Sequence, residues 1–308
     1  MKLSIVSPVY MAENIVDELV KRVTEEACKV VSDFEIILVE DGGEDNSWKK
    51  IEENCLRDSR VKGIKLSRNF GQHYAISAGL EASTGDYVIL MDCDLQDDPK
   101  YFGALIEKTK KGFQIVYTVI EERKHSFFKN ITANFFYKVF NFLVRNDIVK
   151  GNDKTGTYSL ISRDVVNAYI KVGDYRRHYL MVLRWLGFSY DFLTIKQNKR
   201  FAGKSSYNLR KLLSHALDGI TSQSDRLLRL TAGLGLVMSL LSFIAAISIV
   251  ISYMISPFQA GWASIITLIL FVSGLIILCI GICGIYIGKI FEQTKNRPLY
   301  VISEKRNF

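Results

Sequence analysis

Tyr87-Val88-Ile89-Leu90-Met91-Asp92-Cys93-Asp94-Leu95-Gln96 decides the fold. An apolar run without polar alternation describes a strand covered on both faces, as in parallel sheets packed between helices. This one ends abruptly in two carboxylates. In open α/β sheets ligands collect beyond the carboxyl ends of the strands, so the acids stand where a ligand binds. Acids this close repel each other unless a cation or a donor sits between them. Mg²⁺ and Mn²⁺ favour carboxylate oxygens and bridge to substrate phosphates, which makes Asp92 and Asp94 candidate metal ligands. The competing reading is a solvated loop in which Asp97 or Asp98 caps the next helix. The strand immediately before Asp92 favours the ligand reading. No glycine-rich phosphate loop occurs, which disfavours P-loop enzymes and dehydrogenases.

Working outward, strands and helices alternate. Leu3–Val9, Phe34–Val39, Val61–Leu66 and Phe113–Thr118 read as strands, and Asn14–Val31, Ser47–Leu56 and Gln72–Ala82 as helices. The pattern predicts a parallel α/β sheet of the nucleotide-binding kind. Beyond Glu121 it changes. Phe127–Val144 reads as a long amphipathic helix, Gly156–Ile161 as a strand, Tyr179–Leu186 as a helix and Phe201–Gly203 as a loop. Leu209–Leu230 is amphipathic and basic, as in helices that lie on a membrane surface.

The chain has 308 residues, enough for one large domain and an addition. Neither Thr231–Ile255 nor Ala263–Gly288 contains a charged residue. Each is long enough to cross a hydrocarbon core of about 30 Å, and neither has the polar face of a soluble helix. The flanks are basic, with Arg226 and Arg229 before the first run and Lys289, Lys295, Arg297, Lys305 and Arg306 after the second. The positive-inside rule puts both termini and the N-terminal domain in the cytoplasm. No export signal precedes Lys2. The net charge of +8 gathers near these runs, which favours a membrane over nucleic acid as partner. Five scattered cysteines match no zinc spacing and suit a reducing compartment. The expected domains are 1–206, amphipathic helices over 207–230, a transmembrane hairpin over 231–288 and a cytoplasmic tail over 289–308. Gly281, Gly284 and Gly288 have the small-residue spacing of close helix packing, within the hairpin or in a homo-oligomer.

Ser7-Pro8-Val9-Tyr10, Val39-Glu40-Asp41-Gly42, Leu66-Ser67-Arg68-Asn69-Phe70-Gly71 and Gly85 to Gln96 together resemble family 2 glycosyltransferases with the GT-A fold. Arg200 to Tyr207, Leu217 to Ser222, the hairpin and Arg297-Pro298-Leu299-Tyr300 extend the likeness almost to the C-terminus. Within the family the chain is most similar to polyprenyl-phosphate glycosyltransferases, which include dolichol-phosphate mannose synthase and bacterial undecaprenyl-phosphate transferases. The resemblance implies a GT-A nucleotide-sugar-binding domain with a two-helix transmembrane hairpin in the bacterial inner membrane. It implies inverting transfer from a nucleotide sugar, a UDP-sugar above all, to a polyprenyl phosphate. Pro8, Tyr10 and Asp41 would hold the nucleotide, and Asp92, Asp94 and Gln96 the Mg²⁺ or Mn²⁺ on the diphosphate. Arg200 would face the diphosphate or the acceptor phosphate, and Arg123, Lys129 and Lys204 would supply basic contacts to the acceptor.

The chain departs from the family's pattern twice. Met11-Ala12 stands where Asn-Glu is usual, which leaves Glu13 as the candidate to take over that nucleotide contact. Gly156-Thr157-Tyr158-Ser159-Leu160 stands where bacterial relatives read Gly-Asp-Phe-Arg-Leu, so their proposed catalytic carboxylate is Thr157 here. Asp153 is the nearby replacement, against its reading as a loop-turn residue. A phosphate monoester is already ionised near neutral pH and needs no base, whereas a sugar hydroxyl does. The alternatives are therefore extension of a lipid-linked saccharide and a non-catalytic homologue.

Overall fold

The computed structural model describes residues 1–121, 155–175, 177–198, 226–255 and 261–308. The expected Phe127–Val144 helix, the Phe201–Gly203 loop, most of the amphipathic 209–230 stretch, and Arg123, Lys129, Asp153, Arg200 and Lys204 lie outside the described residues.

Two compact units emerge. The first holds 1–121, 155–198 and Arg297–Phe308 among the described residues. It is built on an eight-stranded sheet of order β7-β5-β6-β4-β1-β2-β3-β8. The strands are β1 (Lys2–Val9), β2 (Asp33–Glu40), β3 (Val61–Leu66), β4 (Tyr87–Leu90), β5 (Ile115–Ile120), β6 (Thr155–Ser162), β7 (Tyr190–Ile195) and β8 (Ile302–Arg306). The helices are α1 (Val16–Val30), α2 (Ser47–Arg57), α3 (Gln72–Ala82), α4 (Phe102–Thr109), α5 (Arg163–Lys171) and α6 (Tyr179–Leu186). Strands β1 to β4 are mutually parallel, as their two-sided apolar runs require. The sheet is nevertheless mixed, which corrects the expected all-parallel arrangement. β6 runs antiparallel to both β4 and β5, and β8 antiparallel to β3.

One core packs around Ile5, Ile36, Ile89 and the α1 stripe Val16, Leu19, Val20, Val23 and Ala27. That helical spacing keeps the stripe on the sheet. The other core, around Val6, Val39, Leu90, Ala75, Ile76 and Tyr169, covers the opposite face. β8 was not foreseen in the expected tail. Arg306 pairs with Glu52 at 2.6 Å, and the Asn307 amide donates to the Cys55 and Val61 carbonyls at 2.7 and 2.8 Å.

The second unit contains α7 (Arg226–Ile255) and α8 (Trp262–Thr294). Among the described residues one helical segment, Phe271–Thr294, is long and apolar enough to cross a membrane, with mean hydropathy 2.4. A Cβ placed on Gly281, Gly284 or Gly288 would meet open space.

The amino-terminal edge of the sheet is clamped by Glu35. Its carboxylate accepts from Ser4 Oγ at 2.6 Å and from Thr84 N at 2.7 Å, and pairs with Lys62 Nζ at 2.9 Å. Burial pushes the Glu35 carboxyl up, but these partners outweigh it and bring it from 4.5 to about 2. The folded value lies below the unfolded one, so the clamp's contribution is present above pH 4.5 and fades as pH falls towards about 2. That displacement corresponds to on the order of 3 kcal/mol. Glu35→Gln is expected to lower the unfolding temperature of the full chain at neutral pH and to flatten its acid dependence. An acid slope equal to that of the wild type would refute the clamp.

Candidate functional site

The ends of β1, β2 and β4 lie level. Met91 N–H donates to the Val6 carbonyl at 3.1 Å and Asp41 N–H to that of Val9 at 2.9 Å. Pro8, buried on β1, is in register with Val39. Tyr10 then turns out of the sheet, 51% exposed, followed by Met11 in the left-handed region at φ 50°. An exposed ring beside a sheet edge is a stacking surface for a planar ligand.

Asp41, at the end of β2, is buried. Its carboxylate accepts Phe70 N–H at 2.8 Å and Gly71 N–H at 2.9 Å, one on each oxygen. Burial pushes this carboxyl up, and the two N–H groups oppose that rise. In this structure Asp41 fastens the 68–71 loop across the sheet edge. The Arg68 guanidinium lies over the Phe70 ring at 4.2 Å. Gly42 makes the close approach possible, because a Cβ there would stand 2.1 Å from the Arg68 carbonyl carbon, and its φ is +63°. Glu13 has a fastening task too. Its Oε2 accepts the Asn46 N–H and side-chain amide at 3.0 and 3.1 Å, just before α2.

The acidic loop follows β4. Asp92 Oδ1 accepts from Gln72 Nε2 at 2.7 Å, and Oδ2 from Thr157 Oγ1 at 3.3 Å. The second contact follows from register. Leu90 pairs with Ser159 across the antiparallel β4–β6 ladder, so the chain two residues further places Asp92 opposite Thr157. Ser159 is fully buried, with its hydroxyl 2.9 Å from Tyr179 OH. Asp94 Oδ1 accepts Gln96 N–H at 3.1 Å, closing a tight turn. Between them Leu95 is buried at φ 58°, a conformation that costs a bulky residue about 1–3 kcal/mol and persists only where its surroundings enforce it. Asp98 accepts Lys100 N–H at 3.1 Å and starts the short 3-10 turn Pro99–Tyr101, the capping role expected of it or of Asp97.

Charge is concentrated here. Burial first, and then the charges of Asp92 and Asp94, push the Asp97 carboxyl up to about 7 against a hydrogen bond from Gln197. Four carboxylates, Asp92, Asp94, Asp97 and Asp98, share this one loop, and a divalent cation would relieve their field. Among the described residues no three acidic, histidine or cysteine side chains converge as a closed metal site. Two carboxylates with an open remainder are what Mg²⁺ uses when substrate phosphates and water complete its shell. The donor set therefore fits a metal–diphosphate rather than a structural ion.

The structure thus brings Pro8, Tyr10, Asp41, Asp92, Asp94 and Gln96 to one edge of the sheet. The contacts of Gln72, Gln197 and Asn198 with the acidic loop were missed in the sequence, where only Gln72's place just after the Leu66–Gly71 motif gave a signal.

Gly42→Ala is expected to destabilise the full chain by at least about 2 kcal/mol through backbone collision and left-handed strain. Thermal unfolding measures this, and a wild-type unfolding temperature would show that the close approach is not required.

The family model described as glycosyl transferase family 2 matches residues 4–170. An uncharacterised glycosyltransferase of Bacillus subtilis (strain 168), YkcC, is 34% identical over 98% of this chain and 93% of its own. A bactoprenol glucosyl transferase of Shigella phage SfX is 34% identical over 99% of this chain and all of its own, 100%. The glucosyl-3-phosphoglycerate synthase of Mycobacterium tuberculosis, solved with Mn²⁺ and UDP-glucose, superposes with TM-score 0.52 at 14% identity. That match covers 72% of this chain and 77% of the synthase, and shows a common GT-A fold. Matched by the family model from β1 into α5 and by relatives along almost its whole length, the chain is a glycosyltransferase and belongs to glycosyl transferase family 2.

Proposed function

We propose that this enzyme transfers a sugar, with inversion, from a nucleotide-diphosphate sugar to a polyprenyl phosphate at the cytoplasmic face of a bacterial inner membrane. The observation that carries the donor half is the placement of Asp92 and Asp94 at the carboxyl edge of β4, level with Pro8, Tyr10 and Asp41. The bactoprenol glucosyl transferase that matches end to end supports the acceptor half. Phe271–Thr294 supports membrane attachment, and the charge-free 231–255 run supports a second span.

In this reading Asp92, Asp94 and Gln96 hold Mg²⁺ or Mn²⁺ on the diphosphate. When bound, that ion neutralises the charge that develops on the leaving group. Gln72 and Thr157 hold the Asp92 carboxylate in place. Tyr10 offers its exposed ring to the base. An acceptor phosphate oxygen attacks the anomeric carbon, the bond from that carbon to the diphosphate oxygen breaks, and the nucleoside diphosphate leaves with the electron pair. One displacement inverts the carbon.

Thr157 fits a phosphate acceptor. A carboxylate at this position would face Asp92, whereas the hydroxyl donates to it. A phosphate dianion brings its own nucleophilic charge, so loss of a base there is tolerated. The basic groups proposed for the acceptor are Arg123, Lys129, Arg200 and Lys204. Extension of a lipid-linked saccharide is the second reading, because Thr157 cannot serve as a carboxylate base, and Asp153 would then have to.

Purified full-length protein with Mn²⁺ is expected to move label from one member of a nucleotide-sugar panel to undecaprenyl phosphate. Asp94→Ala should lower the rate by at least about 100-fold. Full activity in that variant would remove the metal assignment, and turnover only with a sugar-bearing lipid would select the second reading.

A further inference from the structure

The acidic loop is gripped by a segment about a hundred residues away in the chain. β7 pairs with β5 at one end of the sheet, and the residues that follow it reach across to the end of β4. Lys196 N–H donates to Tyr101 OH at 3.1 Å. Gln197 Nε2 donates to Asp97 Oδ1 at 3.2 Å. Asn198 contributes twice, through its N–H to the Gln96 carbonyl at 2.9 Å and through Nδ2 to Asp98 Oδ2 at 3.1 Å. The grip therefore takes hold immediately after the left-handed Leu95. From the other side, Tyr158 OH donates to the Asp98 carbonyl at 3.1 Å.

The side-chain chemistry of the grip is selective. Lys100 Nζ already pairs with Asp98 Oδ2 at 2.8 Å. A further lysine or arginine at 197 or 198 would hold the carboxylates more strongly but take more from the negative field that draws a cation. An aspartate or glutamate would set a further carboxylate against Asp97 or Asp98 and add to the repulsion within the loop. A primary amide donates a hydrogen bond and brings no net charge. It fixes the geometry and leaves the field intact.

We propose that Gln197 and Asn198 are positioning residues for the donor's cation. They hold the Leu95–Asp98 turn in its high-energy form, so that Asp94 and Gln96 remain on the side where the diphosphate binds. The inference rests on the donor-site reading given above. It assigns these amides a share of metal–nucleotide affinity, although neither is a ligand. Groups that orient metal ligands from outside typically contribute about 10–100-fold in affinity.

The test is calorimetric binding of Mn²⁺ with UDP, and in parallel with GDP, to the full chain in detergent, alongside thermal unfolding. Asn198→Asp and Gln197→Glu keep size and remove the donor. Each is expected to weaken Mn²⁺–nucleotide binding by about tenfold or more at an unchanged unfolding temperature. Asp98→Asn combined with Asn198→Asp exchanges amide and carboxylate across the same contact, and is expected to recover most of the loss. Binding equal to wild type in both single variants would overturn the proposal, and so would failure of the exchanged pair to recover in a chain that unfolds normally. A wild-type chain that binds neither nucleotide with Mn²⁺ would instead remove the donor-site reading itself.

Discussion

Mutual repulsion among carboxylates crowded beyond β4 is the constraint around which this site is arranged. Asp92, Asp94 and Asp97 share one loop, and Asp97 shows the strain as a carboxyl pushed up to about 7 by burial and then by its neighbours' charges. Besides Lys100, which pairs with Asp98 at 2.8 Å, the surrounding elements answer with neutral donors. Gln72 from the start of α3 and Thr157 from β6 hold Asp92. Gln197 holds Asp97, and Asn198 holds Asp98 and the Gln96 carbonyl. The loop thus keeps its shape without losing the negative field for which a cation would compete.

The reversal of β6 follows the same logic. Only an antiparallel strand beside β4 brings its amino-terminal end, with Thr157, to the edge where Asp92 stands. A parallel neighbour would bring a carboxyl end there, and with it the residues of a different turn. Ser159, one step further along the same face of the strand, is sealed against Tyr179. Thr157 and Ser159 thus lie side by side, one touching Asp92 and the other closed off from solvent.

Much of the first unit was legible because its strands are apolar on both faces and end abruptly. Val61–Leu66 and Gln72–Ala82 were read with the limits they have in the structure, and Asp92 and Asp94 were picked out by the strand before them. Strand direction was not legible, since a two-sided apolar run looks the same in either polarity. The donors that hold the acidic loop were hidden for another reason. Gln72 and Thr157 stand 20 and 65 residues from Asp92, and Gln197 stands 100 from Asp97. No local spacing encodes such pairs. β8 escaped because Ile302-Ser303-Glu304-Lys305-Arg306 is mostly polar, as an edge strand with one wet side can be.

That last strand changes what the long helices are in the chain's architecture. The polypeptide leaves the first unit, forms α7 and α8, and comes back to complete the same sheet beside β3. In chain order α7 and α8 therefore stand between two parts of one sheet and do not follow a finished domain. A fragment cut at residue 206 would lack β8 and leave that edge of β3 unpaired. Open strand edges of this kind recruit other chains. A faithful version of the first unit therefore has to carry residues 297–308 as well.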